Sequence, residues 1–236
     1  MRCKCYGIWM RHAVVVLILV ISLSGVIDAK ESKTMKSFSN ITEKVIQLPA
    51  PVLHGGMSIA ETLSKRESTR NFTSKPLTTS EISQVLWAAQ GITRNWGGRA
   101  APSAGALYPL ELYLVIREGL FHYMPRTHQL IRVSDQNLID DLSSAALDQE
   151  CVRGSPAIVV ITAVYERMER KYGRRSERYV KIEAGHAAQN IHLQAVSLAL
   201  GSVPVGAFND DQVQKFLNLP ANHEPLYLIP LGHIKK

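Results

Sequence analysis

Arginine and serine alternate over a short stretch at Arg66, Ser68 and Arg70. On a helical turn, two guanidinium groups four residues apart lie near one another. The planar guanidinium group of arginine can donate hydrogen bonds to two oxygens of one phosphate, and the serine hydroxyl adds another donor. The spacing therefore predicts a phosphate-binding site, while a solvated basic turn stays open as the alternative for so short a motif.

A loop of small residues at Pro102, Ser103, Ala104 and Gly105 leads into an apolar segment. Small side chains let a flat molecule come close to the backbone, although an ordinary turn between a helix and a strand has the same composition. The Walker A, GxGxxG, HExxH and GxSxG patterns do not occur in the sequence. Their absence excludes the simplest P-loop, dinucleotide-binding, zincin and lipase sites.

Glu183 and His186 form an ExxH pair of the kind found in di-iron bundles. Such a site needs a second copy of the motif and further carboxylates, so we expect His186 to serve helix packing. Cys151 is the one cysteine beyond the first residues, which predicts a small packing residue rather than a disulfide or a Cys-rich site. No metal is expected.

The elements that must position these residues follow from the spacing of apolar side chains. Thr78 and Glu81 form a capping box ahead of a helix that Gly91 ends. Because strands and helices do not alternate strictly, the order predicts an α+β fold rather than a doubly wound parallel sheet. Strands are predicted at 111–117, 120–124, 157–164 and 226–231, and further helices at 135–149, 177–200 and 210–218.

Residues 1–29 have the layout of a secretory signal peptide, with basic residues ahead of the apolar run 13–21 and small residues up to Ala29. The run is shorter than the roughly 20 residues of a spanning helix. We therefore expect a periplasmic or secreted protein with no stable membrane span after cleavage. A retained N-terminal anchor and a start at Met10 stay open. Residues 30–57 are polar and predict a linker or an extended N-terminal arm.

The net charge of +7 is modest. Removing residues 1–29 takes away three basic residues and one acidic residue, so 24 basic and 19 acidic residues remain and the charge falls to +5. The basic residues are dispersed except between Arg167 and Arg178, and no nucleic-acid motif accompanies them. The sequence therefore predicts no nucleic-acid partner.

Four segments in this order resemble the nitroreductase superfamily, and specifically its SagB/ThcOx branch. They are the Arg66 to Arg70 stretch, the helix from Leu77, the run PSAGALYPLELY from Pro102 and the run EAGHAAQNIHLQA from Glu183. The resemblance covers residues 58–233. It implies a nitroreductase-like three-layer domain over residues 58–236, with a mixed central sheet flanked by helices. It also implies an FMN cofactor and a homodimer with the flavin at the subunit interface.

The resemblance further implies roles for individual residues. Arg66 and Ser68 match the phosphate-binding positions, and Arg70 matches the cation near flavin N1 and O2, where positive charge would stabilise the anionic reduced flavin. Residues 102–105 match the loop beside the isoalloxazine. Gly206 or Ala207 matches the backbone N–H that approaches flavin N5.

Ala106 and Tyr108 stand where many nitroreductases carry Asn and Gln, which favours the SagB/ThcOx branch. Lys171 and Tyr172 match the Lys-Tyr pair that azoline-oxidising members use in catalysis. Turning an azoline into an azole removes a carbon-bound proton and a hydride, and a neutral Lys171 could take the proton. The alternative is a basic, mobile surface loop.

The sequence thus predicts an FMN-dependent oxidoreductase, a SagB/ThcOx-type dehydrogenase that oxidises an azoline-like or other small, peptide-derived substrate by hydride transfer to flavin N5. Two alternatives stay open. One is an NAD(P)H-dependent reductase of nitro compounds or quinones, which export disfavours because reduced nicotinamides are largely cytoplasmic. The other is a flavin-binding protein without turnover. A fold alone does not identify a substrate.

Overall fold

A computed structural model describes residues 44–235. The predicted signal peptide and the first part of the predicted arm lie outside the described residues. None of the helices within residues 44–235 combines the length and apolar character that crossing a bilayer requires. The strands are β1 (Val45–Gln47), β2 (Leu110–Ile116), β3 (Gly119–Met124), β4 (Gln129–Ser134), β5 (Ala157–Ala163), β6 (Leu200–Ser202) and β7 (Glu224–His233), and the helices are α1 (Ile59–Lys65), α2 (Thr79–Gln90), α3 (Ile139–Ala145), α4 (Glu150–Arg153), α5 (Glu166–Tyr172), α6 (Ser176–Ser197) and α7 (Asp210–Phe216).

The strands form one sheet in the order β1-β4-β3-β2-β5-β7-β6. Every neighbouring pair of these strands is antiparallel. The predicted mixed sheet is therefore corrected for these strand pairs, among them β2, β3 and β4, between which short turns reverse the chain, while the isolated bridge between Ser68 and Ser202 of β6 is parallel. The α+β fold with a central sheet and flanking helices is confirmed.

Both faces of the sheet are covered, which produces the predicted three layers. All seven residues of β5 are buried, as expected for a strand between two helical layers. Val159 and Ile161 join the cluster that contains α2 and α6, while Ile158 and Val160 join the cluster that contains α3, α4 and α7. This alternation follows the two-residue period of a strand.

The two helices that support the candidate site pack side by side. The predicted capping box of α2 is confirmed, since the Thr78 hydroxyl accepts from the Glu81 N–H at 3.2 Å and the Glu81 carboxylate accepts from the Thr78 N–H at 2.7 Å. Gly91 ends the helix as predicted. The small buried residues Ala184, Ala187 and Ala188 of α6 let the two helices approach closely.

Several predicted boundaries are corrected. The helix predicted over 135–149 is confirmed only over Ile139–Ala145, because Leu147 and Asp148 adopt positive φ angles of 59° and 55° that interrupt a right-handed helix. Strand β4 and helices α1, α4 and α5 were not predicted. Strand β1 lies inside the predicted arm and pairs with β4 at the edge of the sheet.

Candidate active site

The arginine segment, residues 66–70, follows directly after α1. The predicted helical turn is wrong here, because Arg66 is the C-cap of α1 with an extended backbone (φ −64°, ψ 120°). Ser68 forms a parallel bridge with Ser202 of β6, and the Thr69 N–H donates to the Ser202 carbonyl at 3.0 Å. Alternate residues of an extended chain share a side, so Arg66, Ser68 and Arg70 can still converge on one ligand.

The three side chains of this segment remain accessible. Arg66 is half-buried, whereas Ser68 and Arg70 are exposed. An Arg70 guanidinium N–H donates to the Ser68 carbonyl at 3.4 Å, which keeps the second arginine close to the serine. The segment therefore presents two guanidinium groups and a hydroxyl, a donor set suited to a phosphate.

His192 of α6 lies behind the arginine segment and was not identified from the sequence. Its Nδ1 lies 2.8 Å from the Ser202 hydroxyl. Burial, with a smaller contribution from the Arg66 charge, lowers the pKa of His192 to about 4. A neutral imidazole therefore supports β6 without adding another positive charge to the segment.

The amide segment, residues 203–208, continues from β6. The Val205 N–H donates to the Leu228 carbonyl at 2.8 Å, and the Leu228 N–H donates back at 3.0 Å. Gly206 and Ala207 are exposed. Within residues 44–235 their N–H groups donate to no acceptor, so they are free to bind a ligand.

The small-residue loop, residues 102–105, forms a tight turn held in an unusual conformation. Gly105, Ala106 and Tyr108 have φ angles of 63°, 55° and 50°, a left-handed region that non-glycine residues seldom adopt. The Tyr108 N–H donates to the Ser103 hydroxyl at 2.9 Å, and the Arg99 guanidinium stacks 4.6 Å from the Tyr108 ring centroid. Such strain persists where surrounding contacts fix the backbone, often at functional sites.

Lys171 and Tyr172 meet this loop. A Cβ atom placed on Gly105 would lie 2.7 Å from the Lys171 Nζ and 2.7 Å from the Tyr172 hydroxyl oxygen. The pair occupies the last turn of α5 rather than a loop, and the Tyr172 ring packs edge-on against Tyr179 at 4.8 Å. The structure thus brings the predicted catalytic pair and the predicted loop together.

A half-buried acidic anchor, Glu111, holds α5 in this place. Arg167 forms an ion pair with Glu111 of β2 and donates to the Tyr108 carbonyl at 3.0 Å. His122 of β3 lies 2.7 Å from the other Glu111 oxygen. Burial alone would raise the pKa of Glu111, but the hydrogen bonds from His122 and Arg167 outweigh it and lower the pKa to about 2. The anchor is therefore anionic at neutral pH.

Glu183 of α6 lies beneath the small-residue loop, and burial raises its pKa to about 7. Its ExxH partner His186 is exposed, so the expectation that His186 packs against another helix is wrong. Glu183 and His192 fall on the same stripe of α6 as the buried alanines. That helical period is the sequence signal that could have identified both.

The site residues therefore fall into two groups. The arginine and amide segments adjoin β6 and His192, while the small-residue loop adjoins Lys171, Tyr172 and Glu183. Within residues 44–235, hydrogen bonds join members of the first group, and none links one group to the other. Helix α6 contributes one residue to each group, His192 to the first and Glu183 to the second. The two residues are separated by about 13 Å along the helix at 1.5 Å per residue.

Comparisons with known proteins identify the family. The model of the nitroreductase family matches residues 63–233. A Methanocaldococcus jannaschii protein provisionally described as a nitroreductase is 42% identical over 182 residues, which cover 75% of this chain and 91% of that protein. A Ralstonia eutropha crystal structure with the same provisional description has a TM-score of 0.76 at 30% identity and covers 86% of this chain and 95% of that chain.

A further relative is the microcin B17-processing protein McbC of Escherichia coli. It is 29% identical over 134 residues, which cover 51% of this chain and 48% of McbC. The family match spans most of the chain and includes every site residue described above. The chain belongs to the nitroreductase family of oxidoreductases.

Proposed function

We propose that this protein is an FMN-dependent dehydrogenase of the SagB/ThcOx type, which oxidises an azoline-like or other small, peptide-derived substrate. The observation that carries this proposal is the meeting of the Lys171 Nζ and the Tyr172 hydroxyl at Gly105. A potential base and a phenol at the edge of the small-residue loop suit proton removal from a substrate held beside a flavin that would bind against that loop.

The residues present fit FMN. Arg66, Ser68 and Arg70 would hold the phosphate, and the unengaged N–H groups of Gly206 and Ala207 would face the ring system. Bound FMN supplies the hydride acceptor. Lys171 would receive the carbon-bound proton, and Tyr172 would orient the substrate. The guanidinium of Arg70 would stabilise negative charge that develops in the reaction.

The relatives support the finer assignment by analogy. The name of McbC describes the processing of microcin B17, and this resemblance motivates a peptide-derived substrate. McbC is about twice as long as the matched region, because that region covers 48% of it.

We also propose a homodimer. Apolar side chains are exposed on α1 and the segment before it, with 71% exposure at Val52, 65% at Leu53 and 69% at Ile59. These three line a cleft of about 550 Å³ against α2 and α6. A contiguous apolar patch of this kind is typical of a protein interface. Sedimentation should find a dimer that Ile59→Asp weakens, and a monomeric wild type would contradict the proposal.

The test of function uses purified protein starting at Lys30, from which the chromophore is then released and identified. We expect a yellow protein whose chromophore is FMN rather than FAD. We expect Lys171→Met and Tyr172→Phe to keep the flavin but lose oxidation of a thiazoline peptide. Protein that stays colourless after incubation with FMN would contradict the assignment of FMN as the cofactor. Rapid anaerobic reduction of the bound flavin by NADH would favour the alternative function, an NAD(P)H-dependent reductase.

Export is proposed from the sequence of residues 1–29. Cell fractionation with N-terminal sequencing should find a mature N-terminus near Lys30 outside the cytoplasm. Full-length cytoplasmic protein that oxidises NADH rapidly would contradict export and promote the NAD(P)H-dependent reductase.

A further inference from the structure

Glu183 is a buried carboxyl group that the proposed reaction does not use. It is only 1% exposed. Neither of its oxygens has a hydrogen bond of standard geometry within residues 44–235. Burying a carboxyl group without partners is unfavourable, and it favours the protonated form. A residue kept in this position on a helix of small side chains therefore calls for an explanation.

The neighbours of Glu183 come from two elements. Gln90 of α2 accepts from an Arg99 guanidinium N–H at 2.8 Å through its Oε1, while its Nε2 has no partner among the described residues. The Ser103 hydroxyl and the Gln90 amide adjoin the carboxyl, and Arg99 is the charged group that acts on it. Ser103 is therefore the link between Glu183 and the small-residue loop.

Ser103 has one hydrogen to donate and two lone pairs to accept with. The Tyr108 N–H already occupies one lone pair at 2.9 Å. The remaining lone pair and the hydroxyl hydrogen can face Glu183 on the buried side or a bound molecule on the exposed side, because Ser103 is half-buried. The protonation of Glu183 decides how they are shared.

We propose that Glu183 is a positioning residue that switches Ser103 between donor and acceptor toward the molecule bound at the small-residue loop. The proposal rests on the proposed function for the identity of that molecule. A protonated Glu183 donates to Ser103, which leaves the hydroxyl hydrogen free to donate outward. An ionised Glu183 accepts that hydrogen, which leaves Ser103 with only a lone pair to offer outward.

Both states are accessible near neutral pH. Burial raises the pKa of Glu183 to about 7, and the adjoining Ser103 hydroxyl, the Arg99 charge and the Gln90 amide keep it from rising further. Removing the Ser103 hydroxyl should therefore raise the pKa of Glu183. This coupling can be measured without any cofactor.

The first arm of the test uses the apoprotein. Infrared spectroscopy should follow the carboxylic acid band that is lost in Glu183→Gln, as a function of pH. Ser103→Ala should move its midpoint upward by about one pH unit or more, the equivalent of one hydrogen bond to a charged group. Ser103→Thr keeps the hydroxyl and should restore the midpoint. Glu177→Gln, an exposed glutamate of the same helix, is the matched control. An unchanged midpoint in Ser103→Ala would overturn the coupling.

The second arm measures the dissociation constant for FMN by flavin fluorescence between pH 5 and 9. The ratio of wild type to Glu183→Gln cancels the titration of the phosphate itself, whose pKa is about 6. The amide that the Glu183→Gln substitution introduces donates to Ser103 as protonated Glu183 does, so the ratio should be near one at low pH. It should change by about threefold to tenfold above the Glu183 midpoint, the range for one neutral hydrogen bond.

The outcomes separate the two proposals. A flat ratio in protein that binds FMN would overturn the switch. Failure of every variant to bind FMN would overturn the proposed cofactor, while the apoprotein arm would still decide whether Glu183 controls Ser103.

Discussion

Glu183→Gln should change how the stability of the protein depends on pH. Burial raises the pKa of Glu183 from its ordinary 4.5 to about 7. Below pH 4.5 the group is protonated in both the folded and the unfolded states, so its contribution to stability is fully present there. Between pH 4.5 and about 7, Glu183 of the unfolded chain loses its proton and Glu183 of the folded chain keeps it. Stability is therefore lost as the pH rises through about 7.

The magnitude follows from the shift. A rise of about 2.5 pKa units corresponds to about 3 kcal/mol at 1.36 kcal/mol per unit. The free energy of unfolding of the wild type, relative to Glu183→Gln, should fall by about 1.4 kcal/mol per pH unit across this window and then become constant. Above pH 8 the variant should be the more stable protein.

Urea unfolding of the apoprotein at half-unit steps from pH 4.5 to 8.5 would measure this difference. His192 also titrates in this range with the opposite sign, because burial lowers its pKa to about 4. It is present in both proteins, so it cancels in the difference. Glu177→Gln, fully exposed on the same helix, should give no such slope. A flat difference between wild type and Glu183→Gln would refute the reasoning, since it would mean that the carboxyl titrates alike in the folded and unfolded chains.

Three further predictions concern the site. Arg66→Ala should weaken FMN binding by about 1.5–3 kcal/mol, or about tenfold to hundredfold, because it removes charge-assisted hydrogen bonds to the phosphate. Fluorescence titration measures this change. An unchanged affinity for FMN in folded protein would mean that the phosphate binds elsewhere. Gly105→Ala should lower the free energy of unfolding by about 1–2 kcal/mol, since φ is 63° there. It should also slow substrate oxidation more than it weakens FMN binding, because the new Cβ displaces the Lys171 amine. Gly185→Ala, which meets nothing within 4 Å, is the control and should not destabilise. Arg167→Ala should lower kcat with little change in flavin affinity, and an equal loss of both in steady-state and binding measurements would contradict its role as an anchor of α5.

Local patterns predicted the elements whose signals lie within a few residues. The capping box at Thr78 and the stop at Gly91 predicted α2, and a continuous apolar run predicted β5. These predictions succeeded because the interactions concerned are hydrogen bonds within one turn or burial of every residue in a run.

Elements with weaker local signals were missed or were predicted with the wrong bounds. Strand β4 has no regular alternation of buried and exposed residues, with Leu130 as its buried residue, and only its pairing with β1 and β3 makes it a strand. The break between α3 and α4 depends on left-handed residues at Leu147 and Asp148, neither of them glycine. Tertiary packing supplies the free energy that keeps such conformations.

By itself, the sequence determined which residues are suited to bind a phosphate and a flat ring, because residue type and order carry the family motif. The tertiary structure decided which of them meet. Lys171 reaches Gly105, and Glu183 reaches Ser103, although 66 and 80 positions separate them. The packing of α5 and α6 against the sheet determines these distances. The burial that raises the pKa of Glu183 likewise follows from packing, because desolvation depends on the atoms that surround a carboxyl group and not on its neighbours in the chain.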